Sequence, residues 1–496
     1  MPVNRNQPAT LTHRSVHATW WSALEIAARY GAQFIVMIIL ARLLTPADFG
    51  LIAMLLVFTS IGALLVDSGF STALIQRQST NADDETTVFL ISTGASVFVA
   101  ILLWFAAPVI ADFYSQPKLI PLTRLLLFVL PLGALASVPD ALLTKQLNFK
   151  ARAKAEIFAS FFSGVVAVIL AWRGFGVWSL AWQGIVLISV RALLLWLYSG
   201  WRPRGRFHSA SFRNLFGFGS YMLMSSLLDT ISIRLQSLLI GRLFNSETLG
   251  YYTLAQNTQQ APTSFMGSLL NRVGLPVFST VANQPDKLLG ALRLSLRTAM
   301  FLFVPCMLGI AVIAKPLISI LYGTRWEPAA PILTILALSA VFWPLHILNL
   351  AAFNAQGRSK LFFRLALIKK IVMIGLVCVS SPGGPLAIAC AVLASSVFSV
   401  MINTWYSKKL LNYGLLAQLS DQRHTFALSL AAALTGWVIL HWNNPGIVPT
   451  LTAIGAAVIV YLGGAILFRS AALAELIKIG RSLIETRKAQ NVNSES

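Results

Sequence analysis

The sequence predicts an all-α polytopic membrane protein, on three observations. Of its 496 residues, 56% are hydrophobic and only 11% charged, whereas a soluble domain carries about 25% charged residues. Apolar runs of roughly 20 residues, enough to span a bilayer, recur along nearly the whole chain. Lys and Arg concentrate in alternate connecting segments, as the positive-inside rule requires. The mean hydropathy is +0.73, and no sizeable soluble domain is visible.

In chain order, the runs predict fourteen spanning helices. Six lie at about 20–43, 50–75, 88–110, 121–143, 154–172 and 177–199. Six more follow at 215–240, 249–275, 292–314, 328–350, 361–379 and 385–406, and a last pair at 424–442 and 449–468. With both termini placed in the cytoplasm, 26 Lys and Arg fall inside, 7 outside and 5 within the runs. That asymmetry supports the orientation. It also explains the net charge of +21 without nucleic acid, because the basic residues alternate by loop and form no single patch. Residues 1–19 are polar, and no cleavable signal is expected. Cys306, Cys378 and Cys390 lie in apolar runs with no metal or disulfide spacing, and are expected to be small core residues.

The sequence echoes itself. Ala41 to Gly50 reads ARLLTPADFG, and Gly241 to Gly250 reads GRLFNSETLG. In the first copy, Thr45, Pro46 and Asp48 suit N-cap, N1 and N3 of a helix. Asn245-Ser246-Glu247 offers the same chemistry in the second. Pro108 before Tyr114 matches Pro316 before Tyr322, Pro121 matches Pro331, and Gln146 and Lys150 match Gln356 and Lys360. The predicted organisation is a segment 1–19, an N-lobe 20–199, a basic linker 200–214, a C-lobe 215–406, an added pair with its linker 407–468, and a tail 469–496. Six helices per repeat is an even number, so the pseudo-two-fold should lie along the membrane normal.

RLLTPADFG after the first helix and VDSGFSTALIQRQ at the end of the second resemble polysaccharide exporters of the multidrug/oligosaccharidyl-lipid/polysaccharide (MOP) flippase superfamily, in the colanic-acid- and xanthan-type branch. The resemblance covers most of the first twelve helices. It implies two six-helix lobes around a cavity. It also implies the activity: flipping undecaprenyl-pyrophosphate-linked oligosaccharides across the bacterial inner membrane for lipopolysaccharide or exopolysaccharide synthesis. The partners implied are that lipid-linked substrate, membrane lipids and polysaccharide polymerase machinery.

A charge at the bilayer centre costs roughly 2.5–3.5 kcal/mol on insertion scales, so charged residues within the runs are the candidates. Glu25, Arg29 and Gln33 share one face of the first helix. Arg29 suits bidentate phosphate binding, and a local pair with Glu25 is the alternative. Asp67 could pair with Arg29 or bind a coupling ion, or instead cap its helix or bridge near Arg77. On the seventh helix, Ser225, Asp229, Ser232 and Gln236 form one stripe; Ser226, Thr230, Arg234 and Ser237 form another. Arg234 is the second candidate for pyrophosphate or sugar. Thr253, Asn257, Gln260 and Ser264 on the eighth helix suit sugar, or hydrogen bonding between helices. Of Lys369 and Lys370, one could reach the interface and the other bring charge to the cleft. Arg191 reads as a snorkelling residue, His346 as a satisfied buried histidine, and Trp20, Trp21, Trp201 and Trp405 as an interfacial belt.

The substrate set is therefore Arg29, Arg234, Lys369, Lys370, Gln33, Asn257 and Gln260. Glu25, Asp67 and Asp229 are the ion-coupling set, for H⁺ or Na⁺. Catalytic and metal residues are expected to be none. The chain has no Walker A loop, zinc motif or GxSxG, and Asp83-Asp84-Glu85 reads as a solvated helix start. Two rivals remain. A cation-coupled multidrug antiporter would need an apolar or acidic cleft. A polymerase or ligase of lipid-linked glycans would need a large outer loop, and the longest runs only from about Asp112 to Pro121.

Overall fold

The computed structural model describes residues 31–77, 80–443 and 446–478. Among them all regular structure is helical, and eleven helical stretches are long and apolar enough to cross a bilayer. Their outward faces are apolar: Phe105 is 76% exposed, Trp172 78% and Val379 83%. Helices with satisfied backbones and apolar surroundings are what hydrocarbon demands. The protein is a multi-pass membrane protein.

The chain divides into two compact units, Met1–Thr253 and Leu254–Ser496. The first holds α1 (Gly31–Leu43), α2 (Pro46–Asp67), α3 (Phe70–Gln76), α4 (Ala82–Tyr114), α5 (Leu119–Leu126), α6 (Val129–Lys145), α7 (Phe149–Trp172), α8 (Val177–Ser199), α9 (Ser209–Leu243) and the first turns of α10 (Ser246–Thr280). The helix start expected from the motif is present. Thr45 caps α2 in a reciprocal capping box with Asp48, and Pro46 opens the helix. In the second copy the Thr248 N–H donates to Asn245 Oδ1 at 2.7 Å.

The two copies also touch. A Cβ built on Gly50 would lie 1.7 Å from the Ser246 carbonyl oxygen, and one on Gly250 would lie 1.9 Å from the Pro46 carbonyl oxygen. Only glycine lets two backbones approach this closely.

Three expected helices are broken. The run 50–75 splits at Ser68 and Gly69, which hold consecutive left-handed φ values of 46° and 73°. The Asp-Ser-Gly sequence there carries ordinary turn chemistry, and α3 re-enters the core through Phe70 and Leu74. The run 121–143 splits into α5 and α6 around Leu127. Its counterpart 328–350 splits in the same way, into α13 (Ala330–Ala340) and α14 (Trp343–Ala355).

The second unit contains the rest of α10, α11 (Pro285–Val312), α12 (Ala314–Tyr322), a 3-10 turn (Thr324–Ala329), α13, α14, α15 (Ser359–Ser380), α16 (Gly384–Leu411), α17 (Leu415–Asp421), α18 (Arg423–Trp442) and α19 (Ile447–Leu467). Its main core gathers α11, α14 and α16 around Leu292, Met300, Phe303, Leu345 and Val400. A smaller core seats α18 and α19 on Phe301. The Tyr461 hydroxyl donates to the Phe301 carbonyl at 2.7 Å.

Asp421 and Tyr413 lie outside the spans, against the first turns of α11. Asp421 at the end of α17 pairs with Arg293 at 3.5 Å and Arg297 at 3.4 Å on α11. It also accepts a 2.8 Å hydrogen bond from the Tyr413 hydroxyl. Burial pushes the Tyr413 phenol well above its usual range; the bond to Asp421 and its charge add to this, and Arg293 and Arg297 oppose it. The cysteines correct an expectation: Cys306, Cys378 and Cys390 are free and exposed rather than core.

Candidate functional site

In α9 the sequence places two polar stripes, and the structure buries part of each. Ser232, Gln236 and Ser237 are buried, and Gln236 Oε1 accepts a 2.7 Å bond from the Tyr252 hydroxyl on α10. Asp229 is exposed and Arg234 half-buried. Among the described residues Arg234 enters no ion pair. An uncompensated guanidinium within a spanning helix is costly, and it is a ready receptor for an anion.

α10 turns one polar face inward and another outward. Thr258, Gln259 and Thr263 are buried; Thr258 Oγ1 and the Tyr322 hydroxyl lie 2.9 Å apart. Asn257 and Gln260 are exposed, and Gln260 Nε2 donates to Ser264 Oγ at 3.3 Å. On the inner face Thr258 bonds to α12, while the outer face is exposed. Gln33 on α1 is also exposed. Glu25 and Arg29 lie outside the described residues, as do Trp20 and Trp21.

Asp67 ends α2, half-buried, and accepts a hydrogen bond from the Ser71 hydroxyl. Arg77 pairs instead with Asp84, at 3.2 Å. Asp83-Asp84-Glu85 is therefore more than a solvated helix start. Asp84 is 4% exposed, Asp83 Oδ1 accepts from the Arg206 N–H at 2.7 Å, and Glu85 Oε2 accepts from Trp201 Nε1 at 2.8 Å. Trp201 is thus tied to this helix start as well as to its aromatic neighbours Phe89 and Trp196. Trp405 is 58% exposed.

Lys369 and Lys370 are half-buried in α15. Lys369 Nζ donates to Asn403 Oδ1 on α16 at 3.3 Å. On α14, His346 Nε2 lies 3.2 Å from Ser396 Oγ on α16, which donates to the Ser339 carbonyl on α13 at 2.7 Å. His346 Nδ1 and Asn403 Nδ2 have no partner among the described residues. The histidine is therefore only half satisfied. Polar groups of α13 to α16 line the interior of the second unit.

Among the described residues, the largest ionic cluster gathers on α6, α7 and α8. Asp140 on α6 binds Arg152 on α7 at 2.6 Å and Arg191 on α8 at 3.1 Å, and Arg191 also binds Glu156 at 3.1 Å. Arg191 is thus an ion-paired centre rather than a snorkelling residue. A cavity of about 210 Å³ is lined by Asp140, Arg152, Arg191, Ser71, Ser137 and Thr144. One signal was available in the sequence: Arg191, charged within a run, needs a partner, and Asp140 and Glu156 are the carboxylates near the ends of the preceding two helices. Among the described residues no group of three or more His, Cys, Asp or Glu could hold a metal ion.

The profile of a family described as "Polysaccharide biosynthesis protein" matches residues 39–331, more than half of the chain. The chain belongs to this family. Among curated relatives, the succinoglycan biosynthesis transport protein ExoT of Rhizobium meliloti is 28% identical over 366 residues, 74% of each chain. The teichuronic acid biosynthesis protein TuaB of Bacillus subtilis is 24% identical over 429 residues, 86% of this chain and 89% of its own. The lipopolysaccharide biosynthesis protein WzxC of Escherichia coli is 24% identical over 401 residues, 80% of each chain. In fold, this member of the polysaccharide biosynthesis family is similar to the lipid II flippase MurJ in an inward closed conformation. The TM-score is 0.73 at 16% identity, with 92% of this chain and 98% of that one covered. An inward-facing multidrug transporter of the MOP superfamily gives 0.60 at 14% identity, covering 79% and 96%.

Proposed function

We propose that this protein is a flippase. It moves undecaprenyl-pyrophosphate-linked oligosaccharide repeat units from the cytoplasmic to the outer leaflet of a bacterial inner membrane, for surface polysaccharide synthesis. Family membership and the transport role in the name of ExoT support the class of activity. The observation that carries the substrate's charge is Arg234, half-buried in a spanning helix and without a carboxylate partner among the described residues. An anion that visits such a site relieves the cost of the unpaired cation. Asn257 and Gln260 offer exposed amides to the glycan's hydroxyls.

The mechanism we propose is alternating access, with both termini cytoplasmic. The carrier's tail stays in the bilayer while pyrophosphate and sugars cross beside the polar faces. The basic count places Gly50 and Gly250 at the outer ends of α2 and α10, so their contact closes that end and must part for release. Substrate drives the change only to the extent that it binds the two states differently. Asp67 and Asp229, with Glu25, are the groups proposed to bind a coupling proton or Na⁺. No bond-making chemistry is part of this reading.

The test is a flipping assay with purified protein in liposomes, using a fluorescent lipid-linked oligosaccharide quenched from one side. Protein-dependent movement that Arg234→Ala lowers supports the reading. No movement of the glycan lipid, with efflux of cationic drugs instead, would favour the antiporter.

A further inference from the structure

On the lipid side of the first unit, α4 and the α5–α6 pair build a groove from matching faces. α4 contributes Val97, Ala100, Ile101 and Trp104, spaced i, i+3, i+4 and i+7. Arg124, Leu127, Phe128 and Pro131 supply the same spacing across the break between α5 and α6. α4 and α5 are joined by the short turn after Tyr114 and run in opposite directions. Arg124 and Trp104 therefore meet at one end of the groove, with Val97 and Pro131 at the other. Seven residues of helix rise make it about 10 Å long. Its volume is about 180 Å³.

The groove wall is apolar and open to the bilayer. Val97 is 46% exposed, Ile101 52% and Phe128 55%. The exception is Arg124. Its guanidinium lies 5.0 Å over the Trp104 ring. Its Nε is buried with no hydrogen-bond partner, and the side chain enters no ion pair among the described residues. Arg124 stands five residues into α5, about 7.5 Å from its start. From there the arginine can snorkel to a lipid phosphate at the bilayer surface, and the groove runs on beneath it for an acyl chain.

We propose that this groove binds one anionic phospholipid of the surrounding bilayer, with its phosphate on Arg124 and an acyl chain along Ile101 and Phe128. Charge decides the occupant. A neutral chain would cover the wall but leave the guanidinium unpaired. A phosphate with net negative charge satisfies both ends, and stacking on Trp104 holds the guanidinium plane for a bidentate contact. The carrier lipid of the proposed transport reaction plays no part in this assignment.

Native mass spectrometry of the full-length protein, titrated with phosphatidylglycerol or with phosphatidylcholine of equal chain length, tests it. The first lipid bound should favour phosphatidylglycerol by about tenfold, the scale of one charge-assisted contact. Arg124→Gln should bring that ratio close to unity, and Arg124→Lys should keep part of it. Ile101→Trp alters only the lipid-facing wall and should weaken both lipids by filling the groove. An unchanged preference in Arg124→Gln would overturn the assignment. So would undecaprenyl phosphate displacing phosphatidylglycerol from the unaltered protein but not from Arg124→Gln, which would make the carrier the occupant.

Discussion

Gly50 and Gly250 stand two hundred positions apart and hold each other's helix starts. Gly50 rests on the backbone of Ser246, and Gly250 on that of Pro46. The duplicated motif has thus become a reciprocal contact, α2 against α10. A methyl group at either glycine would meet a carbonyl oxygen at under 2 Å, which no side-chain adjustment relieves.

Gly50→Ala or Gly250→Ala should therefore part the two helix starts, at about 1–3 kcal/mol of overpacking each. The measurement is labelling of a cysteine placed at Ala47 by an impermeant maleimide added outside. Labelling should rise several-fold, with glycan export reduced. Unchanged labelling would mean that the contact persists through a backbone shift elsewhere.

Arg234→Ala should lower flipping of the lipid-linked glycan by about tenfold or more, the scale of a lost charge-assisted contact. Arg234→Lys should recover part, since an ammonium keeps the charge and loses the fork. Matched protein levels, checked by immunoblot, separate this loss from poor insertion.

Asp140→Asn should destabilise the first unit by about 1–3 kcal/mol, because Arg152 and Arg191 lose a shared carboxylate while remaining part-buried. Arg152→Gln should cost less, since Asp140 retains Arg191. Thermal unfolding in detergent, followed by tryptophan emission, ranks the two. Melting temperatures equal to that of the unaltered protein in both variants would show that the cluster contributes nothing to stability.

Tyr413 predicts an alkaline limit for the second unit. Its folded pKa is raised, so the folded state holds the phenolic proton more tightly than the unfolded chain. The stabilisation is complete below the unfolded pKa of about 10. It fades as pH climbs from there toward the folded value. Tyr413→Phe should lose about 1 kcal/mol at neutral pH, with the bond to Asp421, and should show a flatter decline above pH 10. Melting curves from pH 8 to 11 would test both slopes.

The sequence carried the membrane class, the helix start at Thr45 and the repeat, since these rest on hydropathy and capping, which are local. The helix breaks at Ser68–Gly69 and Leu127 are hidden in the sequence, because long apolar runs outweigh short turn signals. The polar residues of α9 and α10 are legible in the sequence, but not which of them a neighbour covers; that is set by packing between helices. Asp140 is hidden for a related reason. It sits near the end of an apolar run, where a carboxylate looks like a boundary, and only the arrival of α7 and α8 turns it into an ion-pair hub. Glu25 and Arg29 lie outside the described residues.

The basic stretch after α8 looks, from its composition, like a free tether. Its Gly205 and His208 N–H groups donate to Thr86 and Thr87 on α4, at 3.0 Å each. A Cβ on Gly205 would lie 2.3 Å from the Ala82 carbonyl oxygen. A gene cut between residues 201 and 208 for co-expression as two fragments would thus sever a stitched seam, and trypsin should find the arginines there slow to cleave.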